Sequence, residues 1–288
     1  MKLGVILPQL EIGTDPAAIR DYAQAAEEAG YDHILAFEHV LGADSSRYPG
    51  WNGPYDYRAQ FHEPFVLYGF LAGQTRRIEL VTGVLVLPQR QTALVAKQAA
   101  QVDVLSGGRL RLGVGVGWNQ VEMEGLGCDF QSRGRRIVEQ IRLLRALWSE
   151  DVVDFEGRWE RVRHAGINPR PSRGTIPIWM GGMAEPVLRR AARLADGWFP
   201  QFRPDAEGRA AIARLQGYAR EAGRDPASVG IEGRLNARGR DPDGWAELYA
   251  RWKEMGVTHL TFNSMGCGYT SPGQHIEAIR RFKELAKD

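Results

Sequence analysis

Short apolar runs alternate with longer stretches of helical periodicity along the whole chain. The first helical stretch, Pro16–Gly30, repeats apolar residues every three or four positions from Ile19 to Ala26, which is typical of an amphipathic helix. Asp15 offers an N-cap before a proline at the first helical position, and the closing glycine ends the helix. The pattern therefore predicts a helix that follows a short strand.

The same strand–helix unit recurs eight times. The predicted strands are Leu3–Pro8, Tyr31–Phe37, Ile78–Leu87, Arg109–Val116, Pro177–Met180, Gly197–Phe199, Val229–Leu235 and Val257–Phe262. The later predicted helices are Glu63–Thr75, Thr92–Ser106, Gly134–Trp148, Glu185–Ala195, Ala206–Ala222, a helix with the core residues Trp245 and Trp252, and Gln274–Ala286. Two longer segments interrupt the alternation, a loop over His39–Phe61 and the Arg-, Pro- and Gly-rich stretch Asp151–Thr175, where we expect a short hairpin.

Alternating strands and helices indicate parallel pairing with right-handed crossovers. Eight units in 288 residues favour an α/β fold of the (β/α)8 TIM-barrel type with insertions, and we expect residues 1–288 to form one domain. Such a barrel carries its functional site at the C-terminal ends of the strands. The candidate residues below all lie at predicted strand ends or in the loops that follow.

Composition excludes several classes of function. The 37 basic and 35 acidic residues give a net charge of +2, which offers no electrostatic footprint for nucleic acid. Cys128 and Cys267 are single and far apart, so neither a disulfide framework nor a metal site is expected. No stretch reaches the roughly 20 apolar residues of a membrane helix. We therefore expect a cytoplasmic protein without a membrane or nucleic-acid partner.

Three glycines at every second position mark the end of the fourth strand. In the segment from Arg109 to Asn119, Gly113, Gly115 and Gly117 share one face of the strand, and Trp118 follows at once. Glycine inside a strand indicates the close approach of a backbone or a ligand, so a flat ligand is one interpretation and a tight turn is the other. The spacing differs from the dinucleotide-binding fingerprint.

Other strand ends carry further candidates. Gly181-Gly182-Met183-Ala184 lies between a strand and a helix, where free N–H groups can bind a phosphate or where the glycines can simply form a tight turn. His39 suits proton transfer, although a lone histidine is often structural, and Glu38 either orients a cofactor or is solvated.

The aromatic loop Tyr48–Tyr57 is interpreted as a lid or as a packed Ω-loop. No nucleophile–base pair, metal cluster or phosphate-binding loop is visible in the sequence, and Ser45, Ser46 and Ser106 have no catalytic context. A redox cofactor that carries the chemistry fits this sparse set of polar groups better than unaided catalysis does.

Five segments together resemble the luciferase-like monooxygenase superfamily, and most of all its deazaflavin (coenzyme F420)-dependent oxidoreductases. The resemblance covers nearly the whole chain and is carried by Thr82–Pro88, Asp103–Arg109, Leu112–Asn119, Trp179–Gly182 and Ala195–Trp198. It implies a (β/α)8 barrel, commonly a homodimer, that holds F420 or FMN at the strand ends.

The resemblance also implies roles for particular residues. It implies that Glu38-His39 is the acidic–histidine pair after the second strand, that Gly83–Val84 is a cis peptide behind the deazaflavin ring, and that Gly181-Gly182 binds the phosphate. The full set of expected cofactor-binding residues is Glu38, Thr82, Gly83, Val84, Gly115, Gly117, Trp118, Asn119, Gly181, Gly182 and Met183. Trp118 stands where the superfamily's sugar-phosphate dehydrogenases carry an acidic glutamate, so that proton-transfer scheme is not carried over.

The sequence therefore predicts an F420-dependent oxidoreductase that transfers a hydride between C5 of the deazaflavin and a small organic substrate. His39 is the expected catalytic residue, and Trp51, Tyr55 and Trp198 are expected in the substrate pocket. An FMN-dependent monooxygenase that works with a separate reductase, and a cofactor-binding barrel without catalysis, remain as alternatives.

Overall fold

A computed structural model describes residues 1–48 and 50–286 of the chain. Pro49, in the loop interpreted above as a lid, lies outside the described residues, as do positions 287 and 288. No helix in the described part of the chain is long and apolar enough to cross a membrane.

Eight parallel strand positions close into a barrel because the first strand pairs with the last, with Leu3 opposite Leu260. The barrel strands are β1 Lys2–Ile6, β2 His33–Ala36, β3 Glu79–Thr82 with its continuation β4 Leu85–Val86, β5 Leu110–Gly115, β8 Ile178–Gly181, β9 Gly197–Phe199, β10 Gly230–Asn236 and β11 His259–Asn263. The remaining strands, β6 Val153–Glu156 and β7 Arg161–Ala165, form the expected antiparallel hairpin. The predicted barrel is thus confirmed.

Helices surround the barrel where the periodicity predicts them. They are α1 Pro16–Glu28, α2 Pro64–Gln74, α3 Thr92–Ser106, α4 Gln120–Gly125, α5 Arg133–Ser149, α6 Glu185–Leu194, α7 Ala206–Glu221, α8 Pro242–Glu254 and α9 Pro272–Leu285. The Asp15 side chain caps α1 by accepting from the Ala17 N–H at 2.8 Å, and Gly107 ends α3 in the left-handed conformation. The short helix α4 was not predicted, and it proves important for the site.

The third predicted strand, Ile78–Leu87, is not continuous. It breaks at Gly83–Val84, where the peptide bond is cis, so the predicted cis peptide is confirmed. The break has a packing reason, because a Cβ on Gly83 would lie 2.3 Å from a methyl carbon of Leu35. The chain between β3 and β4 therefore lies close against Leu35 of β2, and Val84 lines the cavity at the mouth.

A buried polar cluster fills the barrel beneath that mouth. His33 Nε2 lies 2.9 Å from Glu232 Oε1, and Arg111 Nη1 lies 2.6 Å from Glu232 Oε2, all with nearly complete burial. Burial alone raises the pKa of Glu232, but His33 and Arg111 reverse the direction and hold it far below its usual range. Glu232 is thus a satisfied anion, and the cluster forms a polar floor.

Candidate active site

A cavity of about 380 Å³ opens at the C-terminal ends of the barrel strands. Its walls are formed by Phe37, Glu38, His39, Pro54, Tyr55, Gly83, Val84, Val86, Gly115, Val116, Gly117, Trp118, Gly181, Gly182, Phe199, Gln201 and Arg234. Most of the residues expected from the sequence meet here, although they are distant along the chain. The volume is at the lower end of the roughly 300–1,000 Å³ of ligand pockets.

Gly113 and Gly115 in β5, and Gly117 just after it, serve a purpose different from the simplest expectation. A Cβ on Gly113 would lie 2.0 Å from the Thr82 carbonyl oxygen, one on Gly115 would lie 2.5 Å from Val84 Cγ2, and one on Gly117 would lie 2.6 Å from Val86 Cγ1. The neighbouring strand β3/β4 therefore packs directly against the glycine face, which is not open to a ligand along its length. The close approach predicted from the pattern is real, but most of it is protein on protein.

Gly181 at the end of β8 belongs to the same arrangement. A Cβ there would lie 2.8 Å from Val84 Cγ1, so Val84 is held between two glycines and presents its side chain to the cavity. Gly182 adopts φ +124°, a conformation that favours glycine, and leads into α6. The N-terminus of α6 has no side-chain cap, but Pro186 has no N–H and the Val187 N–H donates to the Ala184 carbonyl at 2.7 Å. Within the first turn, the Glu185 N–H is therefore the donor left for an anion.

His39 follows β2, and its imidazole borders the cavity. Its Nδ1 lies 2.8 Å from Oε2 of Glu122 in α4, and its side chain is 10% exposed. A carboxylate only accepts hydrogen bonds, so Nδ1 carries the hydrogen of this pair. Nε2 bonds to none of the described residues, which leaves it as the ring atom that can gain or lose a proton.

Glu122 was missed by the sequence analysis. Burial raises its pKa, but hydrogen bonds from His39 and from the N–H groups of Val40 and Leu41 outweigh burial and lower the pKa below its ordinary value. Gln89 donates to the same carboxylate at 3.2 Å. The spacing Asn119-x-x-Glu122 is typical of a helix start, and it is the pattern that identifies α4 in the sequence.

Glu38 is neither solvated nor free for a ligand. Its side chain is 1% exposed, accepts a hydrogen bond from the Val86 N–H, and is paired with Arg90, whose Nε lies 2.6 Å from Oε1. Burial raises the pKa of Glu38, and the Arg90 charge opposes that shift. Both carboxylate oxygens are thus engaged by the protein, one with the end of β4 at Val86 and the other with Arg90.

Aromatic side chains cover the outer side of His39. Trp118 packs edge-on against the imidazole with centroids 5.2 Å apart, and Tyr55 lies 5.6 Å away. Trp51 stands behind Trp118 at 5.7 Å and does not border the main cavity. The close fit depends on Gly53, where a Cβ would lie 2.3 Å from the Trp118 ring. The aromatic loop therefore packs over the site.

Four further residues expected at the site do not line this cavity. Trp198 is fully buried and its Nε1 donates to the Gly182 carbonyl at 2.7 Å, so it supports the loop after β8 from inside the core and is no part of a substrate pocket. Thr82 is also fully buried and donates to the Gly113 carbonyl at 2.7 Å. Asn119 caps α4, and Met183 packs against the core instead of lining the cavity.

Arg234 on β10 was also missed by the sequence analysis. Its guanidinium lies over the Phe37 ring, 4.9 Å from the centroid, and borders the cavity together with Gln201. A single arginine inside a strand has no distinctive sequence pattern, and only the barrel geometry brings it to the mouth.

Comparison with known proteins identifies the family. Residues 1–263 match the family model described as luciferase-like monooxygenase. The chain belongs to this family. It is 37% identical over 244 residues to the uncharacterized protein Rv0940c of Mycobacterium tuberculosis, covering 83% of this chain and 82% of that one.

Two further proteins are similar to the chain, one in sequence and one in fold. The F420-dependent glucose-6-phosphate dehydrogenase of Segniliparus rotundus is 29% identical over 243 residues, covering 81% of this chain and 68% of the other. The crystal structure of monooxygenase RslO1 from Streptomyces bottropensis superimposes with a TM-score of 0.82 at 18% identity, covering 99% and 98% of the two chains. The second similarity concerns the fold alone.

Proposed function

We propose that this luciferase-like protein is an F420-dependent oxidoreductase acting on a small organic substrate. The observation that carries the proposal is the pair His39–Glu122, which holds one free imidazole nitrogen at the wall of a cavity lined mostly by glycine, aliphatic and aromatic residues. Such a cavity provides an acid–base group, His39, and shields the reaction from water. The described residues that line it include no redox group, so a cofactor has to carry the electrons. The similarity to an F420-dependent dehydrogenase supports F420 as that carrier.

The residues present fit a phosphate-bearing flat cofactor. Val84, held between Gly115 and Gly181, offers an apolar surface inside the cavity, and the Glu185 N–H at the uncapped start of α6 offers a backbone donor for a phosphate beside Gly182. When bound, the deazaflavin donates or accepts a hydride at C5.

The chain's own residues supply the proton chemistry. His39 Nε2 gives a proton to, or takes one from, the substrate oxygen, while Glu122 fixes the ring orientation and stabilises the protonated form. Trp118 and Tyr55 exclude water from the imidazole. This division leaves redox chemistry to the cofactor and acid–base chemistry to the histidine.

Parallel titrations of the purified protein with F420 and with FMN test the proposal. We expect F420 to bind more tightly, and we expect the same deazaflavin without its phosphate chain to bind more weakly than F420. Tighter binding of FMN favours the second candidate, an FMN-dependent monooxygenase, which the family description supports. Bound F420 without turnover of any hydride donor or acceptor favours a non-catalytic binding barrel.

We also propose that the chain forms a homodimer through α2 and α3. These helices pack on one another, α2 carries no charged residue, and together they expose Val66, Phe70, Leu94 and Leu105. Exposed apolar side chains on two helices that pack on one another favour a protein–protein contact.

A further inference from the structure

Arg234 is a cation at the mouth of the barrel, and Glu232 attracts it electrostatically without forming an ion pair with it. Glu232 and Arg234 are two positions apart on β10 and therefore project to the same side of the strand, into the barrel. The carboxylate of Glu232 is already bound by His33, Thr261 and Arg111. Within the described part of the chain, the Arg234 guanidinium forms neither an ion pair nor a hydrogen bond.

The surroundings of Arg234 make that charge costly. Its guanidinium lies against the face of Phe37, and burial lowers the pKa of Arg234 from its ordinary value. An arginine does not lose its proton in a protein, so the charge persists in a largely apolar setting. An anion bound in the cavity offsets the cost of burying the Arg234 charge, because electrostatic attraction is strong where water is excluded.

The remaining charges that border the cavity are already compensated. Glu38 is paired with Arg90, and His39 is paired with Glu122. Among the described charged residues that line the cavity, Arg234 is therefore the one without a direct ion pair. A guanidinium that borders the cavity without a direct partner matches a ligand with a negative charge.

The position of Arg234 separates it from the proposed cofactor surface. Val84, Gly115 and Gly181 belong to three contiguous barrel positions, β3/β4, β5 and β8. Arg234 arises from β10, and its guanidinium reaches the end of β2, across β11 and β1. The cavity thus has a glycine–valine side and an arginine–aromatic side.

We propose that Arg234 binds the carboxylate of the substrate, so that the substrates of this enzyme are small organic monocarboxylic acids. A guanidinium and a carboxylate match as two parallel N–H···O bonds, which fixes orientation as well as charge. Gln201, on the same cavity wall, offers a neutral donor beside it. The inference rests on the proposed function, because it assigns the substrate class to that same site.

A binding experiment with matched probes tests the assignment. Benzoate and its neutral isostere benzamide are titrated into the full-length protein, with and without saturating F420, and followed by tryptophan fluorescence, since Trp118 borders the cavity. We expect benzoate to bind about 10- to 100-fold more tightly than benzamide. We expect Arg234→Gln to remove this preference and Arg234→Lys to retain part of it.

Control variants keep the result interpretable. Arg163→Gln removes an exposed arginine on the β6–β7 hairpin and should leave the preference unchanged. If Arg234→Gln does not fold, Arg234→Met removes the same charge and keeps an apolar stem against Phe37. Circular dichroism and the thermal midpoint verify that each variant is folded.

Three results would overturn the assignment. The first is equal binding of benzoate and benzamide, or a preference that survives in Arg234→Gln. The second is Arg234-dependent binding of phenyl phosphate that exceeds the binding of benzoate, which assigns a dianion. The third is a loss of F420 affinity in Arg234→Gln with the benzoate preference intact, which assigns Arg234 to the cofactor. An Arg234-dependent benzoate preference in a protein that binds FMN better than F420 supports the carboxylate site while contradicting the proposed cofactor.

Discussion

His39 Nδ1 and Glu122 Oε2 lie 2.8 Å apart although 83 positions separate the two residues along the chain. The contact joins the loop after β2 to the short helix α4, which follows β5. Because the carboxylate accepts at Nδ1, the other ring nitrogen is left for the cavity. The pair therefore fixes the orientation of the His39 ring, which under the proposed function carries the proton.

Replacing His39 by alanine is expected to lower kcat by about 100- to 10,000-fold, the usual contribution of a general acid–base group. The affinity for F420 should change little, because the residues proposed to hold the phosphate lie at Gly182 and α6. Steady-state kinetics together with cofactor titration separate the two effects. His164→Ala is the matched control, since that histidine is 85% exposed on the hairpin. Weakened F420 binding with a normal kcat at saturation would show that His39 supports the cofactor only.

Glu122→Gln is expected to act through the orientation of His39. The amide keeps the size of the side chain but removes the negative charge that stabilises the protonated ring. We expect a lower kcat and unchanged F420 affinity, with the substrate KM affected less than kcat. A purely structural role for Glu122 would instead lower the thermal midpoint and leave the kcat of the folded variant unchanged.

Gly115→Ala tests whether the glycine face of β5 positions Val84. The new Cβ would lie 2.5 Å from Val84 Cγ2, so the variant should lose about 1–3 kcal/mol of unfolding free energy by overpacking and should also bind F420 more weakly. Adding Val84→Ala removes the clash and should restore much of the stability but not the F420 affinity. Gly217→Ala on α7 is the control, because no atom lies within 4 Å of its new Cβ. Independent, additive effects of the Gly115 and Val84 changes would contradict the proposed contact.

The sequence identifies the barrel because eight strand–helix units leave strong periodic patterns, and α3 is predicted to the residue at Thr92–Ser106. The sequence does not reveal which side chain packs against a glycine. Val84 comes close to Gly115 only because β4 and β5 are paired. Glu122 and Arg234 were missed for the same reason. Their partners and surroundings come from distant segments, and the helix-start pattern at Glu122 indicates α4 but not the contact with His39.

Val66→Glu tests the proposed dimer surface on α2. Val66 is 72% exposed, and an unpaired charge buried in a contact is costly, so the variant should raise the dimer dissociation constant at least about ten-fold. Sedimentation velocity over a range of protein concentrations measures the change. Val152→Glu, which alters an exposed valine away from α2 and α3, should leave the dimer intact. A monomeric wild-type protein would remove this surface from consideration.

The last prediction concerns His275 in α9, a histidine away from the cavity. Its ring is fully buried, its Nδ1 lies 2.8 Å from Ser264 Oγ, and burial lowers its pKa from the ordinary 6.5 to about 4. Above pH 6.5 the ring is neutral in both the folded and the unfolded chain and contributes no pH dependence. Between pH 6.5 and about 4 the unfolded chain binds a proton that the folded chain does not, so acidification lowers the free energy of unfolding.

His275→Gln should therefore flatten the decline of stability between pH 7 and pH 5, as measured by urea unfolding at each pH. This window lies above the ordinary carboxylate pKa of 4.5, so the carboxylates with lowered pKa, such as Glu122, contribute little within it. Burial also lowers the pKa of His259. The variant should therefore keep a residual dependence of stability on pH in this window. The exposed His164, changed to glutamine, should not alter the slope. Parallel stability curves for the wild type and His275→Gln would show that His275 is protonated without cost in the folded protein, because a charge on its Nε2 can pair with Glu11 at 3.3 Å.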